Sequence, residues 1–301
     1  MKPIAVIVAF SFCLNCFAQQ DDETGKHKKH HTNGKGFQTG LFLGSLFANK
    51  YTANLYDGYG YDNNGVKNDF LNSFMYQKII MEYGGGNGQT DQIAQQLNVN
   101  PGDWAFDKTD MPINMKYNPS FVIGLQGRWQ NSKKTGVLLN INAAKLSLNG
   151  NFTIQILTPP IGPVQPNFQN IQIFSIRGAE QRIDIQAGLQ RILGEDEIFG
   201  VIIEGGPLLN MVKFTSNKII INNLNIDLMT FYDQYGYQFY KAKNLTGVDF
   251  GAFAGIGVNI NTNANWKLQA IYNPSYEKID IGENPKPKLQ HALGIRVYYD
   301  M

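Results

Sequence analysis

Eight separate stretches of this chain alternate between apolar and polar or small residues, and a period of two is the signature of β-strands with two chemically different faces. The pattern is clearest where Phe121, Ile123, Leu125 and Trp129 oppose Gly124, Gln126, Arg128 and Gln130. It begins with Phe37, Thr39, Leu41, Leu43 and Phe47 set against Gln38, Gly40, Phe42, Gly44 and Ala48. It continues in Val137, Leu139, Ile141 and Ala143 against Asn140, Asn142 and Ala144, and in Ile183, Ile185, Ala187 and Leu189 against Arg182, Asp184, Gln186 and Gln190. Phe199, Val201 and Ile203 oppose Gly200, Ile202 and Glu204; Phe250, Ala252, Ala254, Ile256 and Val258 oppose Asp249, Gly251, Gly255, Gly257 and Asn259. Trp266, Leu268, Ala270 and Tyr272 oppose Lys267, Gln269 and Asn273, and Leu293, Ile295, Val297 and Tyr299 oppose Gly294, Arg296 and Tyr298.

Alternation fits a soluble sandwich with its apolar face inside as well as a membrane barrel with that face outside. Three features favour the barrel. Connections go short, long, short, long: 131–136, 194–197 and 261–265 are tight turns rich in Asn, Gly and charge, whereas 49–119 is very long. Aromatic residues gather at both strand ends, with Trp129, Phe199 and Trp266 beside the short turns and Phe121, Tyr272 and Tyr276 near the opposite ends, as two interfacial girdles would require. The last strand ends in Tyr298 and Tyr299, although Asp300 and Met301 follow.

The N-terminus reads as an export signal, with Lys2, an apolar run from Ile4 to Phe12, and Cys16-Phe17-Ala18 before a polar stretch. Cleavage after Ala18 would leave residues 19–36 as a disordered polar lead-in carrying His27, His30 and His31, and residues 37–301 as the barrel. Both cysteines, Cys13 and Cys16, lie in the signal, so the exported chain would hold no disulfide and backbone closure would have to stabilise it. No window after the signal is long and apolar enough for a membrane helix. A net charge of +2, with cations clustered only at Lys26–Lys35, argues against a nucleic-acid surface.

Together, the eight alternating segments, the signal, the Asn- and Tyr-rich style and the terminal strand resemble the OmpA/OmpX-like and PorT-like barrels of Bacteroidota outer membranes. The resemblance is one of pattern over residues 37–299. It implies an all-β, antiparallel up-and-down transmembrane barrel of about eight strands in the bacterial outer membrane, in contact with its lipid, and it transfers no catalytic residue.

An eight-stranded barrel is just wide enough to be filled by its own side chains. The polar faces therefore predict a lumen network in which Arg128, Arg182, Lys267 and Arg296 balance Asp184, Glu204 and Asp249; the alternative is a charged conduit for small ions. Function is expected in the outer loops. Segment 49–117 holds a predicted helix begun by Asp69 and ended by Gly84-Gly85-Gly86, with Phe70, Phe74, Ile79 and Met81 near helical spacing, and a second with Ile93, Ala94 and Leu97 on one side. Phe70 and Phe74, with Tyr232, Tyr235 and Tyr237 from segment 214–243, are candidate contacts for an envelope or surface protein. A cap folding over the barrel mouth is the competing reading of the long loop. Asp57, Asp62, Asn63, Asn64 and Asp69 lack the order of a calcium loop, and no cofactor motif is present. Ser275 and His291 lie in opposite phases, which leaves a nucleophile without a base, so the chain reads as non-enzymatic, with a narrow channel or small-ligand barrel as the alternative.

Overall fold

The computed structural model describes residues 36–62, 66–158, 170–194, 199–232, 238–241, 246–262, 266–279 and 286–301. The expected signal peptide, the lead-in up to residue 35, and Asn63, Asn64, Tyr235 and Tyr237 lie outside the described residues; so does the side chain of Tyr232.

Along the chain the strands are β1 (Gly36–Phe47), two short pairings β2 (Trp104–Ala105) and β3 (Lys116–Tyr117), β4 (Ser120–Gln130), β5 (Thr135–Ile156), β6 (Ile171–Leu193) and β7 (Phe199–Ile221). There follow the short β8 (Leu224–Asp227), β9 (Thr230–Tyr232) and β10 (Gln238–Lys241), and then β11 (Thr246–Asn261), β12 (Trp266–Glu277) and β13 (Lys288–Asp300). Eight of these pair antiparallel in the order β1-β4-β5-β6-β7-β11-β12-β13, and β13 returns to β1 from Gln38↔Asp300 to Phe47↔His291, so the ring is closed. These are the eight alternating stretches. Between β11 and β12 the ladder pauses from Phe253↔Ser275 to Ile256↔Tyr272, where Pro274 has no N–H to donate.

The apolar faces point outward. Leu41, Leu125, Leu139, Ile203 and Ile295 are all exposed on the outer surface. Trp129, Trp266, Phe37 and Tyr299 ring one end of this belt, and Phe121, Phe47, Tyr276 and Phe250 the other. From Phe121 to Trp129 is the nine-residue length that a tilted membrane strand needs. Among the described residues no helix is long and apolar enough to cross a membrane.

Three strands far exceed that length. β5 has 22 residues and β6 and β7 have 23 each, so about a dozen residues of each run past the belt as a shaft, about 40 Å at roughly 3.3 Å per residue. Along that shaft the chemistry of the two faces swaps. On β5 the outward Val137, Leu139, Ile141 and Ala143 give way to Lys145, Ser147, Asn149, Asn151 and Thr153, while the inward Asn140 and Asn142 give way to Leu146, Leu148, Phe152, Ile154 and Ile156. Lipid lies outside the belt and water outside the shaft, so the apolar side must turn over where the membrane ends. This corrects the expectation that residues from 214 onward form a loop: Phe214–Ile221 is strand, turned at Asn222 with φ 51° and returned by β8.

The long segment 48–119 folds as a cap on the shaft's inner face. Ala53, Tyr56, Met75, Ile79, Ile93, Leu97, Trp104 and Phe106 from the cap share one buried core with Leu148, Phe152, Ile154, Phe174, Ile176, Phe214 and Ile219 from β5, β6 and β7. Asp91 caps the helix Gln92–Leu97 through the Ala94 N–H (2.8 Å) and accepts from the Trp104 indole (2.9 Å), and the helix buries Ile93, Ala94 and Leu97. The earlier helix starts later than the sequence predicts. Ser73, not Asp69, caps Phe74–Tyr76, which runs on as a π-turn Gln77–Glu82 before the three glycines, and Asp69 instead caps a turn at Asn72.

Candidate functional site

Two features could carry function: the lumen, and the junction where the cap meets it. Inward positions of all eight strands fill the lumen in layers. Nearest the short turns, Gln38 donates to Gln130 (2.6 Å) and accepts from Arg128 Nη1 (3.2 Å), and the Arg128 guanidinium lies 4.5 Å over the Tyr298 ring. Above them Glu204 is a hub. Both terminal nitrogens of Arg296 donate to it, at 2.6 and 2.7 Å, with Gln190 (3.2 Å) and Asn273 (3.4 Å) completing its shell. Asn140 and Asn273 both donate to Gln186. Higher still Phe42, Leu46, Val122, Leu146 and Ile271 form an apolar plug, beside which a small gap lined by Asn142, Asp184, Asn273 and Ser275 has room for about one water molecule.

At the outer mouth, Arg182 Nε donates to Glu180 at 2.6 Å, and its Nη1 lies 3.5 Å from Glu277. The cap reaches down to this group. The hydroxyl of Tyr56 donates to Glu180 in a short hydrogen bond, Tyr117 donates to the same carboxylate oxygen at 3.1 Å, and the Tyr56 ring stacks on Phe214 at 4.4 Å. Gly178 makes the fit possible, since a Cβ there would sit 2.4 Å from the Tyr56 ring. Burial, and after it the charge of Glu180, raises the Tyr56 phenol well above its ordinary range, so it remains a donor at any working pH.

The structure thus places Arg128, Arg182 and Arg296 inside, each about 1% exposed, but pairs them differently from the sequence expectation. Of the three only Arg296 meets an expected partner, Glu204. Arg182 takes Glu180 and Glu277, neither of which the sequence reading named. Asp184 accepts from Asn210 (2.5 Å), and Asp249 faces Lys278 at the mouth (3.1 Å). Lys267 pairs with Asp300 near the short-turn end, and among the described residues Arg128 has no carboxylate partner. Glu180 and Glu277 were legible only by extending their strands outward in the same phase as Arg182 and Asn273.

The loop residues also settle differently. Phe70 and Phe74 are half-buried against the cap core, Phe70 beside Tyr76 and Phe106, so they hold the cap together and are not free contacts for a partner. Asp57 pairs with Lys67, Asp62 accepts from the Val66 N–H and Asp69 from Asn72, so the three carboxylates turn to separate partners. His291 faces outward with its Nδ1 2.6 Å from the Tyr272 hydroxyl, whereas Ser275 faces the lumen.

No family model matches the chain, and no curated protein does. Among solved structures it is similar to Neisserial surface protein A (8% identity, 88% of this chain and 97% of that one, TM-score 0.40). It is similar also to Ail of Yersinia pestis in complex with sucrose octasulfate (12%, 88% and 99%, TM-score 0.36). A third similar structure is the outer membrane protein OprG from Pseudomonas aeruginosa (9%, 89% and 99%, TM-score 0.38). Likenesses at this level say nothing of what the chain binds.

Proposed function

We propose that this chain is a closed, non-enzymatic barrel of the bacterial outer membrane that mounts a rigid shaft and cap outside the cell, and that an envelope or surface protein docks on that outer structure. One observation carries the reading. The outer segments bury a core of their own, and that core is keyed to the lumen mouth by Tyr56 on Glu180. A lid that had to open for transport would uncover that whole apolar core with each cycle, at a cost of about 25 cal/mol for every Å² exposed. Below the lid, the apolar plug and the Arg296–Glu204 layer would also have to part. A rigid display element needs none of this. Leu71, Val66 and Ile113 stand exposed on the cap, as Ile171 and Ile173 do on the shaft, and are among the apolar residues that can meet a partner.

Planar-bilayer recording from the purified protein tests closure, and silence is expected; a steady unit conductance would favour the channel. Docking is tested by recovery from native membranes, where Leu71→Asp with Ile113→Asp should lose a protein that the unaltered chain retains. Identical recovery by both would remove the cap from the interface.

A further inference from the structure

The outward face of the shaft is basic where it leaves the membrane. Lys145 on β5 follows the lipid-facing Ala143 by two residues, and Lys213 on β7 follows Met211 by two; both share one register row with Gln181 of β6. Two residues are about 7 Å along a strand, which is headgroup depth. A second row, four residues further out on β5 and β6, aligns Lys116, Asn149, Arg177 and Lys218. The β7 side of that row depends on a bulge. Ser216 pairs with Ala179 and Phe214 with Glu180, so Thr215 is the extra residue, and it turns Lys218 outward while Asn217, Ile219 and Ile221 stay inside.

All five cations are exposed, and among the described residues none of them forms an ion pair. No Asp or Glu faces outward from β5, β6 or β7 in this stretch; the exposed Asp227 of β8 is the register partner of Lys218, without forming an ion pair with it, and so bounds the second row on that side. With strands about 4.8 Å apart, Lys145 and Lys213 are about 10 Å from one another and Arg177 and Lys218 about 5 Å. Across the barrel, β1, β4, β12 and β13 end outward on Phe47, Phe121, Tyr276 and Leu289 instead. Lys50, Lys278 and Lys288 lie beside those ends, Lys278 paired with Asp249 and Lys288 over the Tyr51 ring, whereas on the shaft the cations are aligned in two rows.

We propose that this face binds the phosphorylated headgroups of the glycolipid in the outer leaflet. The inference rests on the outer-membrane reading above. Both rows continue the lipid-facing side of the same strands, so a lipid whose tails lie on Ala143, Ile183 and Met211 brings its headgroup to the lower row without further docking. A soluble polyanion would have to press against the membrane surface to reach it.

The test uses the full chain in phosphocholine nanodiscs doped with a bisphosphorylated acyl-disaccharide lipid, with retained lipid read by native mass spectrometry and insertion read by heat-dependent gel mobility. The variant is K145Q/R177Q/K213Q, and K133Q/K134Q at the opposite end of the barrel is the control. Retention should fall about fivefold per cation removed, about 100-fold for the three, with steep salt dependence in the unaltered protein and no change in the control. Equal retention by the triple variant would overturn the proposal, as would equal retention of phosphocholine by the unaltered chain. Heparin that bound as tightly without a membrane and displaced the lipid would reassign the face to soluble polyanions. Failure to insert at all would bring down the barrel reading and this one together; insertion without lipid preference would bring down this one alone.

Discussion

At the scale of single residues, the pair Glu204 and Arg296 shows how much a narrow lumen depends on local neutrality. Both side chains are buried, and two charge-assisted bonds join them. Arg296→Met would strand the Glu204 carboxylate among Gln190 and Asn273, at a cost of about 3–5 kcal/mol in urea unfolding from detergent. Adding Glu204→Gln should recover most of that loss, because the amide keeps an acceptor for its neighbours without the charge; a double variant as unstable as the single would mean that the arginine matters for packing alone. In the cap, Asp57 is raised above its ordinary pKa by burial, which outweighs the opposing effect of Lys67 at 2.5 Å. A carboxyl whose pKa is higher folded than unfolded penalises the folded state in full above the folded value, and the penalty fades as pH falls toward the unfolded one. Lys67→Met should therefore loosen the cap more than Asp57→Asn at neutral pH, and acidification should narrow the gap, both read by amide exchange at Tyr59 and Met75; the reverse order would show the ion pair prevailing over burial. The inward phase of the arginines could be read from alternation, but their partners could not. Partner choice depends on strand stagger, which sets Arg296 across the lumen from Glu204 and aligns Arg182 with a Glu277 that lies 95 positions further along.

At the scale of elements, one strand serves two solvents. β5 keeps a single alternation for 22 residues while its apolar side moves from lipid to cap. The reading from sequence recognised the strand only as far as Ala144, because a membrane strand is sought by an apolar outward face and Lys145, Ser147 and Asn149 break it. The continuing alternation of Leu146, Leu148, Phe152, Ile154 and Ile156 was legible, but it names a strand without saying what covers it. The cover is the cap, whose core residues from Ala53 to Phe106 lie about 40 to 100 positions earlier in the chain, a separation that no local pattern encodes. The swap makes a sharp contrast testable. Leu125 lies midway between Phe121 and Trp129 on the outward face, so Leu125→Arg should cost about 2–4 kcal/mol in a bilayer, whereas Asn151→Arg, outward on the shaft, should fall within about 0.5 kcal/mol of the unaltered protein. Comparable costs at both positions would mean that the belt and the shaft face the same medium.

At the scale of the whole molecule, barrel and cap depend on each other unequally. Removing residues 51–111 alone would bare Leu148, Phe152, Ile154, Phe174 and Ile219 on the shaft, and a contiguous apolar sheet face in water invites aggregation. Cap and shaft must therefore be removed together. The register supplies the cuts, since Leu46 lies opposite Ser120, Lys145 opposite Gln181 and Lys213 opposite Thr246, so each pair of strand ends can be joined by a short turn. What remains is a ring of eight strands that keeps the Arg296–Glu204 hub, Phe42, Leu46, Val122 and Ile271 of the plug, and both girdles but for Phe47. Arg182 loses Glu180 but then sits at an open mouth in reach of water, so no buried charge is stranded. This bare barrel should insert and shift on a gel when heated, should stay silent in a planar bilayer because the Arg296–Glu204 layer still fills the lumen, and should recover no partner from native membranes. The cap-only deletion should instead fail to yield a soluble detergent-folded species. A bare barrel that still captured the native partner would move the docking surface into the membrane belt, and one that conducted would show that the cap, not the lumen, had been the seal.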